Sequence, residues 1–98
     1  MLVDMWNIYI LRCNDDSLYI GITNDLERRQ REHASGKRGS KYVRGKKPFD
    51  LVFSHQIKEK GRALKIEHQL KKLTKDKKEY FLRNPSELRD FIDVFITD

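Results

Sequence analysis

The alternation of apolar and polar positions along the chain predicts seven elements. Trp6–Arg12 (WNIYILR) and Leu18–Thr23 (LYIGIT) are dense in β-branched and aromatic residues, and Asn14, Asp15, Asp16 and Ser17 between them are turn formers. The pair reads as a β-hairpin. Thr23-Asn24-Asp25 offers cap residues, and neither Gly nor Pro follows until Gly36, so a helix begins near Leu26. Residues 34–48 mix glycines and a proline with a run of lysines and arginines and read as a basic loop. Phe49–Gln56 alternates over its first half and predicts a third strand, with polar punctuation from Ile57 to Gly61. From Arg62 to Leu73 the spacing of Ala63, Ile66, Leu70 and Leu73 is helical, with Leu64 widening the stripe. Thr74 can cap a short helix carrying Tyr80, Phe81 and Leu82. Asn84-Pro85-Ser86-Glu87 resembles a cap, a first-turn proline and a capping-box acid before a last helix at about 85–96 with Leu88, Phe91, Ile92 and Phe95 on one face. The predicted order is ββαβααα, a small α/β sheet flanked by helices.

Composition narrows this. The chain has 98 residues, the size of one domain, and the expectation is a single domain over 1–98. Charged residues make up 37% and hydrophobic ones only 38%, so the core must be small. No apolar run approaches the ~18 residues of a membrane span, and the opening MLVDM lacks the charged-then-apolar pattern of a secretory signal. A cytoplasmic protein with no membrane partner is expected. One cysteine, Cys13, excludes an internal disulfide, and three scattered histidines exclude a structural zinc cluster.

The formal charge of +6 is unevenly spread. Residues 24–48 and 57–78 each carry nine basic against three acidic side chains, and the remainder of the chain is net acidic. A basic middle between acidic ends suits a protein with one surface turned toward nucleic acid. Lys37, Arg38, Lys41, Arg44, Lys46 and Lys47 of the basic loop are the expected phosphate contacts.

Two helices carry polar residues where apolar ones belong. With Leu26 at zero on a wheel of 100° per residue, Arg29 falls at about 300°, His33 at about 340° and Gln30 at about 40°. That face is polar although it should dock on the sheet. Either the helix docks loosely and Arg29 snorkels, or a guanidinium and an imidazole point into a cleft. In the second helix Glu67 and Lys71 enter the apolar arc, as an i,i+4 pair at its edge or as a carboxylate drawn toward that cleft. A three-residue hairpin loop, Asn14–Asp16, pairs Leu11 with Tyr19 and Tyr9 with Gly21 and puts both tyrosines on one face; a four-residue loop separates them. Gly21 within a strand marks close approach by another group.

Asn7-Ile8-Tyr9, Tyr19-Ile20-Gly21, Arg29 in the following helix, His33 one turn later and Glu67 in a later helix together resemble the GIY-YIG nuclease domain. The resemblance covers roughly residues 5–82, and the chain is similar to the small stand-alone branch of that family. It implies a three-stranded mixed sheet flanked by helices and metal-dependent hydrolysis of a phosphodiester bond in DNA, in repair or recombination. In family terms Glu67 would hold one Mg²⁺ or Mn²⁺ and Arg29 would stabilise the charge of the phosphorane. Tyr19, with Tyr9 as partner or alternative, would activate water, and His33 would position phosphate or water. Two departures stand out: Asn7 occupies the place of the first glycine of the family name, and Ile22 follows Gly21 where some members carry lysine. The competing expectations are a nucleic-acid-binding module with weak or no cleavage, using the basic loop, and an adaptor whose acidic end docks a larger repair protein.

Overall fold

A computed structural model describes residues 4–35, 46 and 49–96. The elements are β1 (Met5–Arg12), β2 (Leu18–Thr23), α1 (Leu26–Ser35), β3 (Asp50–Lys58), α2 (Lys60–Lys71), α3 (Lys75–Arg83) and α4 (Pro85–Ile96), in the predicted order. The hairpin closes through the three-residue loop: Cys13 N–H donates to the Ser17 carbonyl at 2.9 Å, and Asp15 Oδ1 accepts from Ser17 N–H at 3.0 Å. Asp16 takes a left-handed conformation, φ 67°, which a short polar side chain tolerates. The resulting register sets Tyr9 opposite Gly21 and Leu11 opposite Tyr19.

The sheet order is β2-β1-β3, and β1 is antiparallel to both neighbours. This corrects the expected mixed sheet to an antiparallel one. Strands β2 and β3 do run in the same direction, but β1 lies between them, so no parallel pair forms. Strand β3 extends beyond Gln56 because Ile57 pairs with Trp6 and is buried, leaving Glu59 as the break, at φ 75°. Helix α2 starts at Lys60, ahead of the expected Arg62, because Asp4, just before the neighbouring strand β1, closes its first turn. The Asp4 carbonyl accepts from Glu59 N–H at 2.7 Å and Asp4 Oδ2 accepts from Lys60 N–H at 3.3 Å. No local pattern in the sequence announces a cap so distant.

Thr74 caps α3 as predicted, its hydroxyl accepting from Lys77 N–H at 3.2 Å. Asn84 behaves differently. Its side chain donates back to the Tyr80 carbonyl, while its own carbonyl accepts from Glu87 and Leu88 to start α4. The Glu87 carboxylate is taken by the Tyr80 hydroxyl at 2.6 Å rather than by the helix end.

The two faces of the sheet have different uses. On one, Ile8, Ile10 and Ile20 join Phe53 and Ile57 under Ala63, Ile66 and Leu70 of α2, Phe81 of α3, and Leu88 and Ile92 of α4. On the other, Tyr9, Leu11 and Cys13 meet Tyr19, Leu26 and Phe49 in a smaller cluster. Arg12 ties the hairpin to α3 through both carboxylate oxygens of Glu79, at 2.7 and 2.8 Å. Lys75 joins the same network through Asp16 and Glu79, at 3.4 Å each.

Candidate active site

The smaller cluster lies where the polar face of α1 meets the β1–β2 hairpin. Asp25 caps α1, accepting from Arg28 N–H at 3.0 Å, and Thr23 Oγ1 accepts from Asp25 N–H at 3.1 Å, which fixes the entry of the helix. Leu26, Arg29, Gln30 and Glu32 are then half-buried and His33 is buried at 1% exposure. The docked face is thus the polar one predicted from the wheel.

The Tyr9 hydroxyl and His33 Nε2 are 2.9 Å apart. The Tyr19 ring meets the His33 ring edge-on at 5.4 Å and the Tyr9 ring at 6.2 Å, and Phe49 closes the far side of the imidazole at 6.1 Å. The guanidinium of Arg29 reaches both tyrosine hydroxyls and pairs with Glu32 at 3.1 Å. Because a guanidinium only donates, the Tyr9 oxygen accepts from Arg29, and assigning the Tyr9 proton to the His33 bond puts the imidazole proton on Nδ1.

Electrostatics keeps this cluster neutral apart from one ion pair. Burial, reinforced by the charge of Arg29, pushes His33 down to about 4, so its imidazole is uncharged at neutral pH. Burial raises Tyr9 to about 12 against the opposing pull of Arg29. For Arg29 burial works downward, but the hydrogen bonds to Tyr9 and Glu32 outweigh it and the net shift is upward. The arrangement therefore offers a fixed cation, two phenols and an uncharged proton acceptor in one place.

Gly21 explains how the rings fit. A Cβ there would lie 2.6 Å from the Tyr9 oxygen and 2.7 Å from its Cζ, so the Tyr9 ring occupies the space a side chain would need. The close approach expected at this glycine is made by the protein itself.

Of the residues expected at the site, the structure thus brings together Tyr9, Tyr19, Arg29 and His33. Glu67 lies on α2, half-buried, with its carboxylate 3.6 Å from Lys71, and no hydrogen bond or ion pair links it to the cluster among the described residues. Two participants were not anticipated. Glu32 was visible in principle as an i+3 partner of Arg29, whereas the contact of Phe49 with His33 has no local signature. In the basic loop, Lys46 pairs with Asp15 at 3.2 Å. Lys37, Arg38, Lys41, Arg44 and Lys47 lie outside the described residues.

Among the described residues no group of three or more His, Cys, Asp or Glu forms a preassembled metal cage. A lone carboxylate such as Glu67 suits a hard cation that keeps waters and takes phosphate oxygens from a substrate. Among the same residues no helix is long and apolar enough to cross a membrane.

The chain is similar to known proteins in family profile, in sequence and in fold. The family profile described as GIY-YIG catalytic domain matches residues 5–80. A UPF0213 protein of Yersinia enterocolitica is 42% identical over 91 residues, covering 92% of this chain and 93% of its own. One from Citrobacter koseri is 47% identical over 74 residues, 76% of this chain and 73% of its own. The solution NMR structure of a UPF0213 protein from Bacillus halodurans superposes with a TM-score of 0.54 at 42% identity, covering 81% of this chain and 83% of that one. A solution NMR structure from E. faecalis gives 0.58 at 38% identity, covering 82% and 84%.

Proposed function

The chain belongs to the GIY-YIG family, and on that premise we propose that it is a metal-dependent endonuclease hydrolysing phosphodiester bonds in DNA, in repair or recombination. The observation that carries this reading is the Tyr9–His33 hydrogen bond at 2.9 Å, with Tyr19 and Arg29 gathered around it. Tyr19 is half-exposed and Tyr9 is 1% exposed, so Tyr19 is the tyrosine that meets the attacking water. A proton leaving that water passes to the Tyr19 oxygen as Tyr19 gives its own to Tyr9 and Tyr9 gives its own to His33 Nε2. The relay ends on an imidazole that is neutral beforehand. Arg29 places its charge where the phosphorane oxygens gather theirs. Glu67 is the carboxylate that would hold Mg²⁺ or Mn²⁺, which when bound supplies Lewis-acid charge at the phosphate.

One observation favours a second reading. Glu67 is engaged by Lys71 at 3.6 Å, and no hydrogen bond or ion pair joins it to the tyrosine cluster among the described residues, an arrangement compatible with a module that binds nucleic acid and cuts slowly or not at all. Incubation with duplex, nicked and branched DNA in Mg²⁺ and in Mn²⁺, beside a Glu67→Ala control, separates the two. Metal-dependent products from the wild type alone support the nuclease; equal products from the variant reject it.

A further inference from the structure

Among the described residues, helix α1 and Phe49 lie over the Tyr9 and Tyr19 side of the face that carries the candidate site, and no described helix lies over its β3 side. Register and pleat assign its residues. Tyr9 pairs with Ser54 and Asn7 with Gln56, and Met5 pairs with Lys58, so Ser54, Gln56 and Lys58 project from the same face as the tyrosines. All three are exposed, and Asn7 beside them is half-buried. Two rows thus run across the strands from the hairpin to the open edge: Gly21, Tyr9, Ser54 and Thr23, Asn7, Gln56.

Resting on the nuclease reading above, we propose that Asn7, Ser54, Gln56 and Lys58 form the track that holds the nucleic-acid strand as it leaves the Tyr19–Arg29 site. The chemistry of this shelf is that of a backbone reader. It offers a hydroxyl, two carboxamides and an ammonium and contains no carboxylate, so it complements a polyanion and can bond both phosphate and sugar oxygens. Side chains two apart on a strand are separated by about 6.7 Å, close to the spacing of successive phosphates. Lys58 and Gln56 can therefore meet neighbouring phosphates without distorting either chain. Asn7 adds a carboxamide where the family name has glycine, which makes this shelf a property of the present sequence rather than of the motif. An antiparallel sheet can simply leave one face to water, but such a face would not need to exclude acid beside a phosphate-directed site in a chain with fifteen Asp and Glu.

The test uses the full-length chain carrying Tyr19→Phe, so that binding is read without cleavage, and fluorescein-labelled single-stranded and duplex oligonucleotides followed by anisotropy from low to moderate salt. Lys58→Ala with Gln56→Ala is expected to weaken binding about tenfold and reduce the salt slope by about one, the signature of one lost phosphate contact. Ser54→Lys, at an exposed position that leaves the core untouched, is expected to tighten binding and steepen the slope. Arg89→Ala, which removes one positive charge from the opposite face, controls for net charge. If the double variant weakens binding no more than Arg89→Ala, or if Ser54→Lys changes nothing, the track is wrong even while the wild-type enzyme cuts DNA. A wild type that binds DNA through the track yet never cuts rejects the nuclease reading and leaves the track standing; one that binds no nucleic acid rejects both.

Discussion

Tyr9 and His33, 24 positions apart in the chain, share a buried hydrogen bond of 2.9 Å that joins the central strand of the sheet to the only helix on its second face among the described residues. The bond does two things at once. It satisfies two polar groups that have lost water, and it aligns an acceptor behind the tyrosine pair. Structure and chemistry are therefore separable at this point by choosing which hydroxyl to remove.

Tyr19→Phe is expected to lower the cleavage rate by about 10²-fold or more while leaving DNA affinity and thermal stability near wild type, because a half-exposed hydroxyl is lost. Tyr9→Phe is expected to destabilise the fold by about 1–3 kcal/mol, since it removes the bond to a buried imidazole nitrogen. Urea titration and single-turnover cleavage of both variants check the split. The opposite pattern would exchange the roles of the two tyrosines.

Acid should weaken the fold in two successive windows that overlap slightly. His33 is held at about 4 against 6.5 in the unfolded chain, so the unfolded state binds the extra proton as pH falls from about 6.5 to about 4. The contribution is complete above the upper value and is lost through that window, to a total of about 3 kcal/mol. Glu79 is drawn down to about 2 from 4.5 by its hydrogen bonds to Arg12, so the stability it supplies is present above 4.5 and vanishes between 4.5 and about 2. Urea midpoints measured from pH 7.5 to 2.5 should show both falls, with Glu79→Gln removing only the lower one.

Gly21→Ala tests the packing of the rings. The added Cβ collides with the Tyr9 phenol at 2.6 Å and must displace it, at an expected cost of about 1–3 kcal/mol together with loss of cleavage. Calorimetric melting beside the cleavage assay measures both. A variant as stable as wild type would mean that the Tyr9 ring has another place to go.

Glu67→Gln should separate metal from fold. The carboxylate sits at the edge of α2 with a partly exposed lysine at 3.6 Å, so its loss should change stability by no more than about 0.5–1 kcal/mol. Mn²⁺ binding followed by titration calorimetry and metal-dependent cleavage should both disappear. Retained Mn²⁺ affinity would place the metal elsewhere.

Much of this was legible in the chain because the informative residues interact through local rules. Once the hairpin closes through three residues, Asn14–Asp16, the strand parity follows, and helical spacing puts Arg29 and His33 on one face. The boundaries that moved, and the missed contacts, are non-local. Helix α2 starts early because Asp4, 56 positions away in the chain, closes its first turn, and Phe49 meets His33 only after β3 has been placed beside β1. Whether β3 enters an antiparallel or a parallel pair likewise follows from whether it joins β1 or β2, a choice that residue pattern alone does not record. The wheel position of Glu67 inside the apolar arc allows both an i,i+4 pair and a turn toward the cleft, and the structure shows the pair, with Lys71 at 3.6 Å.

The central place of β1 also governs how the chain behaves while it is being made. Its first partner, β2, follows after a short turn, whereas β3 begins only at Asp50. At the usual pace of about 5–20 residues per second, the second edge of β1 is without its partner for about 2–8 s after Arg12 has been added. That edge belongs to MWNIYILR, a segment of high β-propensity with a single charge at its end. For those seconds the strand destined to carry Tyr9 is the part of the nascent protein most open to pairing with another chain, and its protection rests on the charged residues that separate it from β3.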